Sequence, residues 1–321
     1  MISSFAGYSF AKAHSASYAM VSMECVWLKA HHSAVFLARV IANEGGFYRR
    51  SAYVEEARRL GIDIRPPCAA VGAWPTRGSI PAAGVPHGQI RLGFHCITGL
   101  SRATADAIVA RRPFAGVRDL VRRTGCASDE ARALLEAGAL DALMPGRDAA
   151  QRAWTVAAAC NDRGPRAGAQ QCIDLDVDAG DPVAPRLPPL AERRMLEARH
   201  RRLGALPEGH PLMLWDFPRR PELRIRDIPG RSAGSWVSFI AIAITRKDVN
   251  AIYDEGERVE DMSFVTCEDE TGVVETTWFP ETYRKYAVLL ERGDPLLLTG
   301  TVEVEHDVRT VAVRRAALAA G

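Results

Sequence analysis

The chain has 321 residues, 47% hydrophobic and 25% charged, with a formal net charge of +2. That is an ordinary globular composition, with room for two or three domains of roughly 100–200 residues each. No run of about 18 uncharged apolar residues marks a membrane span, and the start has no basic segment followed by an apolar one, so secretion is not expected. Seven cysteines, an odd number with no C-x-x-C pair, exclude a zinc-ligand spacing and a disulfide framework and read as reduced thiols in a cytoplasmic protein.

The net charge hides an asymmetry. Residues 1–234 hold 32 Lys and Arg against 23 Asp and Glu, net +9, whereas residues 235–321 hold 9 against 16, net −7. The basic part suits nucleic acid and the acidic part suits it less.

Residues 15–30 carry Tyr18, Val21, Cys25 and Leu28 as a helical stripe. Ser33 is placed to cap a second helix, Ala34 to Asn43, and Gly45-Gly46 to end it. A third helix is expected from Ser51 to Leu60, then a short strand, Ile62 to Ile64, closed by Pro66-Pro67. Residues 71–88 read as a loop and Gln89 to Ile97 as a strand, followed by helices near Ala103–Ala110, Val117–Arg123, Asp129–Ala137 and Trp154–Cys160.

Residues 161–189, with five prolines and several aspartates, read as a linker. A charged helix, Ala191 to Leu203, and a turn-rich stretch to residue 234 come next. From Trp236 the period becomes that of strands: Trp236–Ile244, Met262–Cys267, Val273–Phe279, Leu296–Glu305 and Arg309–Val313, with a helix Pro280–Leu290 between the third and fourth. Five strands with a helix in that place is the element order of an OB-fold.

The stretch Phe5 to Ser15 (FAGYSFAKAHS) resembles the end of the fingers domain of bacterial C-family DNA polymerases, the DNA polymerase III alpha subunits. Trp27-Leu28-Lys29-Ala30-His31, Gly61 to Pro67 and Ile90-Arg91-Leu92-Gly93 continue the match. Ile97-Thr98-Gly99-Leu100 with Ile108-Val109-Ala110-Arg111 resembles the family's helix-hairpin-helix, and Leu135 to Asp141 the end of that module. Leu203-Gly204, Gly209 to Leu212 and Phe264 to Gly272 resemble the entry to the OB domain and a strand-turn within it. The order holds over nearly the whole chain and is closest to the error-prone subtype, because the chain ends just after the OB-fold. The expected class is α+β and multidomain: end of fingers at 1–70, helix-hairpin-helix at 71–160, flexible linker at 161–190, helix and connector at 191–234, OB-fold at 235–321. The family's PHP domain, palm and thumb have no counterpart, so the chain alone is expected to be inactive as a polymerase. No cofactor is expected in it, Mg²⁺ belonging with the absent palm. The partners expected are duplex and template DNA and a catalytic polymerase half or other repair proteins, with no membrane.

Site residues follow from this resemblance. Lys12 and His14 flank the turn into the first helix and are expected to meet nucleotide or DNA phosphates, the alternative being a surface lysine and a capping or core histidine. Gly99 and Ser101 are expected to let hairpin N–H groups approach a DNA phosphate, the family's second glycine being replaced here by Ser101. Arg102, Arg111 and Arg112, with Arg118, Arg122 and Arg123 nearby, are expected to supply positive charge, unless they form only a solvated face. In the OB-fold the candidates for single-stranded DNA are Arg246 and Lys247, with Trp278, Tyr283, Arg284 and Lys285. The acidic loop 254–261 opposes phosphates and points to weak DNA binding there or to a protein contact; Trp236 and Phe239 are assigned to the core. Asp174, Asp176 and Asp178 alternate as polymerase metal ligands do, yet lie in the linker and read as acidic linker. His31-His32 and His95-Cys96 lack a second pair at ligand spacing and read as packing or surface residues. The alternatives to a polymerase portion are a stand-alone DNA-binding accessory protein and a protein-interaction module of a repair assembly.

Overall fold

The computed structural model describes residues 12–44, 46–161, 180–253 and 258–319. Three helices open them: α1 (Lys12–His31), α2 (Ser33–Asn43) and α3 (Arg50–Arg59). In α2 the apolar residues recur at helical spacing, and Ala34, Leu37, Ala38 and Ile41 are buried on one face. Ser33, expected as its cap, instead bonds backwards, its hydroxyl donating to the Lys29 carbonyl at 2.7 Å. The helix ends on Glu44 in the left-handed conformation, φ 51°, in place of the expected glycine; Gly45 lies outside the described residues. The stripe expected on the first helix is not buried: Tyr18 is 61% exposed, Val21 55% and Leu28 41%. Met20, Met23 and Trp27, on the opposite side, are also exposed, so α1 is apolar around most of its circumference.

A small sheet follows, ordered β1 (Asp63–Arg65), β3 (Gln89–Arg91), β2 (Arg77–Ser79), with β1 parallel and β2 antiparallel to β3. β2 lies in the stretch expected to be a loop. Its Gly78 permits this, because a Cβ there would stand 2.3 Å from the Ala34 carbonyl oxygen at the start of α2. The strand expected to reach Ile97 stops at Arg91. Beyond Gly93 the backbone turns to bond the 73–74 segment, Phe94 N–H to the Ala73 carbonyl at 2.9 Å and His95 N–H to the Trp74 carbonyl at 3.1 Å.

Four helices, α4 (Arg102–Ala110), α5 (Val117–Thr124), α6 (Ser128–Glu136) and α7 (Ala149–Asn161), then pack together. One hydrophobic core runs from Ala34 on α2 through Ile90, Phe94, Ile108, Leu120 and Leu134 to Leu203 and Ala205. It does not divide at residue 70, so α2, α3 and the small sheet form one packed unit with the helices that follow, and α8 (Glu192–Leu203) closes it from beyond the proline-rich stretch. Of the expected linker, 162–179 and with it the Asp174–Asp178 run lie outside the described residues. Its distal part is anchored: the Asp181 carboxylate accepts the Arg118 N–H at the start of α5 at 2.9 Å.

The C-terminal unit is a closed five-stranded barrel of β4 (Trp236–Tyr253), β5 (Arg258–Asp269), β6 (Gly272–Trp278), β7 (Leu296–Glu305) and β8 (Val308–Leu318), ordered β4-β5-β6-β8-β7, with α9 (Pro280–Arg292) between β6 and β7. β4 serves two neighbours, pairing with β7 over Trp236–Ala241 and with β5 from Ile242 onward, with an irregularity between Ala243 and Thr245. β6 and β8 pair in parallel at Thr276 with Val311 and Thr277 with Ala312, which completes the closure. His306 and Asp307, φ 47° and 64°, turn β7 into β8 in the primed geometry that suits a twisted hairpin. Phe239, Trp278, Leu298 and Val311 fill the interior. Trp278 is fully buried, with Nε1 donating to Thr276 Oγ1 at 2.9 Å, so it is not a stacking platform. Trp236, assigned to the core, is 66% exposed. β4 and β5 run past the barrel as a two-stranded ribbon, so Arg258–Asp261 of the expected acidic loop are strand, and residues 254–257 lie outside the described ones.

Candidate nucleic-acid interface

α4 begins where the chain leaves a tight turn at Ile97–Leu100, whose ends are joined by the Leu100 N–H and the Ile97 carbonyl at 3.2 Å. Ile97 and Leu100 are buried and anchor the turn, and Gly99 stands at its outer corner with φ +90°. An L side chain is strained there, and a Cβ would also meet an Arg202 guanidinium nitrogen at 3.0 Å. Ser101 does not take the positive φ of a second glycine: its φ is −75°, and its hydroxyl caps α4 by accepting the Thr104 N–H at 3.1 Å. The Ser101 N–H itself is taken by Glu130 Oε1 at 3.0 Å. The N–H groups of Arg102 and Ala103, first and second in α4, have no acceptor among the described residues, as expected for the open end of a helix. Such N–H groups favour an anion.

A second glycine turn lies beside the first. Gly138, φ +77°, ends α6, with its N–H donating to the Leu135 carbonyl and the Ala139 N–H to that of Leu134, each at 2.9 Å. α8 spans both turns. Arg202 donates to the Thr98 carbonyl at 3.0 Å and to Glu136 at 2.6 Å, while the Thr98 N–H donates to the Arg202 carbonyl at 2.9 Å. Arg199, one turn earlier, lies against Gly138 and bonds Asp141 and Glu208. Neither arginine is legible as part of this site in the sequence, because Arg202 lies about a hundred positions from Gly99 and only packing brings them together.

The other arginines divide into two groups. Arg112 is a cross-link: it donates to the carbonyls of Ala69 at 2.6 Å and Cys68 at 3.4 Å, lies over the Phe94 ring, and burial pulls its pKa below the usual guanidinium value. Arg123 likewise donates to the Pro113 carbonyl at 2.7 Å and to the Arg111 carbonyl. Arg102 pairs with Asp106 at 2.8 Å and lies over Trp74 at 5.0 Å, but its side chain stays 61% exposed at the mouth of the turn. Arg111 is exposed, and Arg122 is exposed beside Asp119. Lys12 is the first residue of α1, and His14 sits edge-on to Tyr18 at 4.6 Å.

On the barrel, Arg246 pairs with Glu291 at 2.6 Å and with Asp248 at 3.5 Å, and the bond to Glu291 raises its pKa. Lys247 is exposed beside it. Arg284 faces Glu260 at 3.7 Å and Lys285 lies over Tyr286. The basic groups here are thus partnered largely by the domain's own acids. Among the described residues no group of three or more His, Cys, Asp or Glu is placed to hold a metal ion.

A glycine hairpin opening a helix, joined to a closed OB-type barrel, defines a nucleic-acid-binding protein. The comparisons agree: residues 61–150 match the helix-hairpin-helix motif and residues 249–315 the OB-fold nucleic acid binding domain. An error-prone DNA polymerase of Anaeromyxobacter dehalogenans is 30% identical over 336 residues, taking in 96% of this chain and 27% of that protein. Those of Dechloromonas aromatica, 28% over 324 residues with 98% and 29% covered, and Mycobacterium bovis, 28% over 322 residues with 98% and 27% covered, are similar. The resemblance read from the sequence therefore holds: nearly the whole chain is similar to a part of the error-prone DNA polymerases, consistent with their C-terminal part, and it spans only about a quarter of their length.

Proposed function

We propose that this chain is the DNA-gripping portion of an error-prone polymerase, holding template and duplex through phosphates while a catalytic part outside the chain adds nucleotides during damage tolerance or repair. The observation that carries this reading is the Gly99 turn, with open N–H groups at the start of α4 and the exposed Arg102 beside them, inside the segment that matches a helix-hairpin-helix. Contacts of this kind touch the backbone of DNA and not its base edges, so binding is sequence-independent and falls steeply with salt. On this reading Mg²⁺ belongs to carboxylates elsewhere, and the chain alone does not extend a primer. Lys12 and His14 contact nucleotide or DNA phosphates only once that catalytic part covers α1. A second reading, a module that binds a repair protein, is favoured by the acidic barrel with its net charge of −7.

The test is fluorescence anisotropy of a labelled duplex titrated with the whole chain and with Gly99→Val. The expected result is about tenfold weaker binding by the variant, with melting monitored to show that it is folded. Equal affinity would remove the hairpin from the interface.

A further inference from the structure

Glu130, on the first turn of α6, reaches across to the start of α4. Oε1 accepts the Ser101 N–H at 3.0 Å, and Oε2 accepts the Thr104 hydroxyl at 2.8 Å and the Ala127 N–H at 3.1 Å. Two of these donors, Ser101 N–H and Thr104 Oγ1–H, belong to the mouth of the hairpin. They hold the two oxygens of an internal carboxylate, in the manner in which a hairpin holds two oxygens of a phosphate. Beside them the N–H groups of Arg102 and Ala103 remain open.

We propose that Glu130 sets the DNA affinity of the hairpin: its carboxylate occupies two of the donors a DNA phosphate would use and places a negative charge beside those that remain open. This rests on the reading of the hairpin as a DNA contact. Asp106 and Glu136, by contrast, are each paired with an arginine, Arg102 and Arg202. Burial pushes the Glu130 pKa up, but the hydrogen bonds from Ser101, Thr104 and Ala127 outweigh it and hold the group below the usual carboxylate value, so it is charged at neutral pH. Glu130 also bonds the N–H of Ala127 at the start of its own helix, and a purely local capping role would leave DNA binding untouched.

The test compares the whole chain with Glu130→Gln, which keeps an acceptor oxygen and removes the charge, and with Glu303→Gln on the barrel as a control for loss of one negative charge far from the hairpin. The probe is a labelled duplex titrated at several salt concentrations. The expected result is at least fivefold tighter binding by Glu130→Gln at low salt, with a slope of log affinity against log salt steeper by about one, and less than twofold change for the control. If Gly99→Val weakens binding while Glu130→Gln behaves like the control, the hairpin binds DNA but Glu130 does not govern it, and the inference is overturned. If neither Gly99→Val nor Glu130→Gln alters affinity, the hairpin reading and the inference fall together. Should Glu130→Gln prove unfolded, Glu130→Asp, whose shorter side chain keeps an acceptor at the start of α6 and withdraws from the Ser101 and Thr104 donors, is expected to tighten binding in the same direction, and unchanged affinity in that variant counts against the inference.

Discussion

Arg59 on α3 and Glu268 at the end of β5 stand 3.5 Å apart, and this ion pair ties the helical unit to the barrel. The Glu268 side chain is 3% exposed, and the equally buried His210 Nε2 lies 3.9 Å from its other oxygen. Glu55 Oε1, Arg59 Nη1, His210 Nε2 and Glu268 Oε2 are buried without a hydrogen-bond partner. A junction built from incompletely paired buried charge is costly and therefore sensitive to protonation.

The two titratable partners at this junction oppose one another. Burial pushes Glu268 from 4.5 up to about 7, despite the opposing charge of Arg59. Its contribution to stability is present below pH 4.5 and lost as pH rises through about 7. Burial pulls His210 from 6.5 down to about 4, so its contribution is present above pH 6.5 and lost as pH falls through about 4. Each amounts to roughly 3 kcal/mol, and between about pH 4.5 and 6.5 the two slopes oppose one another, with Glu55, whose carboxyl burial also pushes up, adding to the Glu268 side. Chemical denaturation across pH should show Glu268→Gln gaining stability as pH rises through that window and His210→Gln losing it. Variants with the same pH profile as the wild type would show that these groups are solvated.

Arg58 holds the segment leading to the barrel. Its guanidinium donates to the carbonyls of Leu206 at 2.7 Å, Pro207 at 3.2 Å and Gly209 at 3.4 Å, and its Nε to Glu55 at 3.1 Å. Removing it leaves buried acceptors and a buried carboxylate unpaired, at a cost of about 3 kcal/mol. Lysine cannot reproduce the planar fork. Both Arg58→Ala and Arg58→Lys should lower the urea midpoint, the lysine variant recovering less than half of the loss; full recovery by lysine would show that only the charge matters.

Trp278 and Trp236 exchange the roles expected of them. Trp278→Ala should cost about 3–5 kcal/mol, as for other large buried aromatics, whereas Trp236→Ala should stay within about 0.5 kcal/mol of wild type. Thermal melting of the two variants distinguishes them, and comparable losses would contradict the burial difference.

The barrel's charge predicts weak binding to single strands. With Glu255, Glu257 and Glu260 replaced by lysine in the whole chain, affinity for a labelled single-stranded oligonucleotide should rise at least tenfold at low salt and become steeply salt-dependent. Tight wild-type binding unaffected by the replacements would mean that stacking, worth about 1–3 kcal/mol per base, outweighs the repulsion.

Much of this protein was legible from local patterns. The helices α2 to α8 and the five barrel strands announce themselves because burial of one face forces a period of 3.6 or 2 on the side chains. Gly99 was legible because only glycine takes that positive φ freely. The motif order carried the kinship. Where the constraint is not a side-chain pattern, the sequence is silent. β2 forms because Gly78 lets the backbone close on α2, and β4 and β5 stay paired well beyond the strand ends that the sequence pattern marks. The exposed face of α1, the burial of Trp278 and the cross-linking role of Arg112 depend on neighbours far along the chain. So does the donor set of the site itself: Ser101 and Glu130 are 29 positions apart, and Thr98 and Arg202 104 apart. Residue types set which groups could bind an anion, whereas packing decided which of them are already bound.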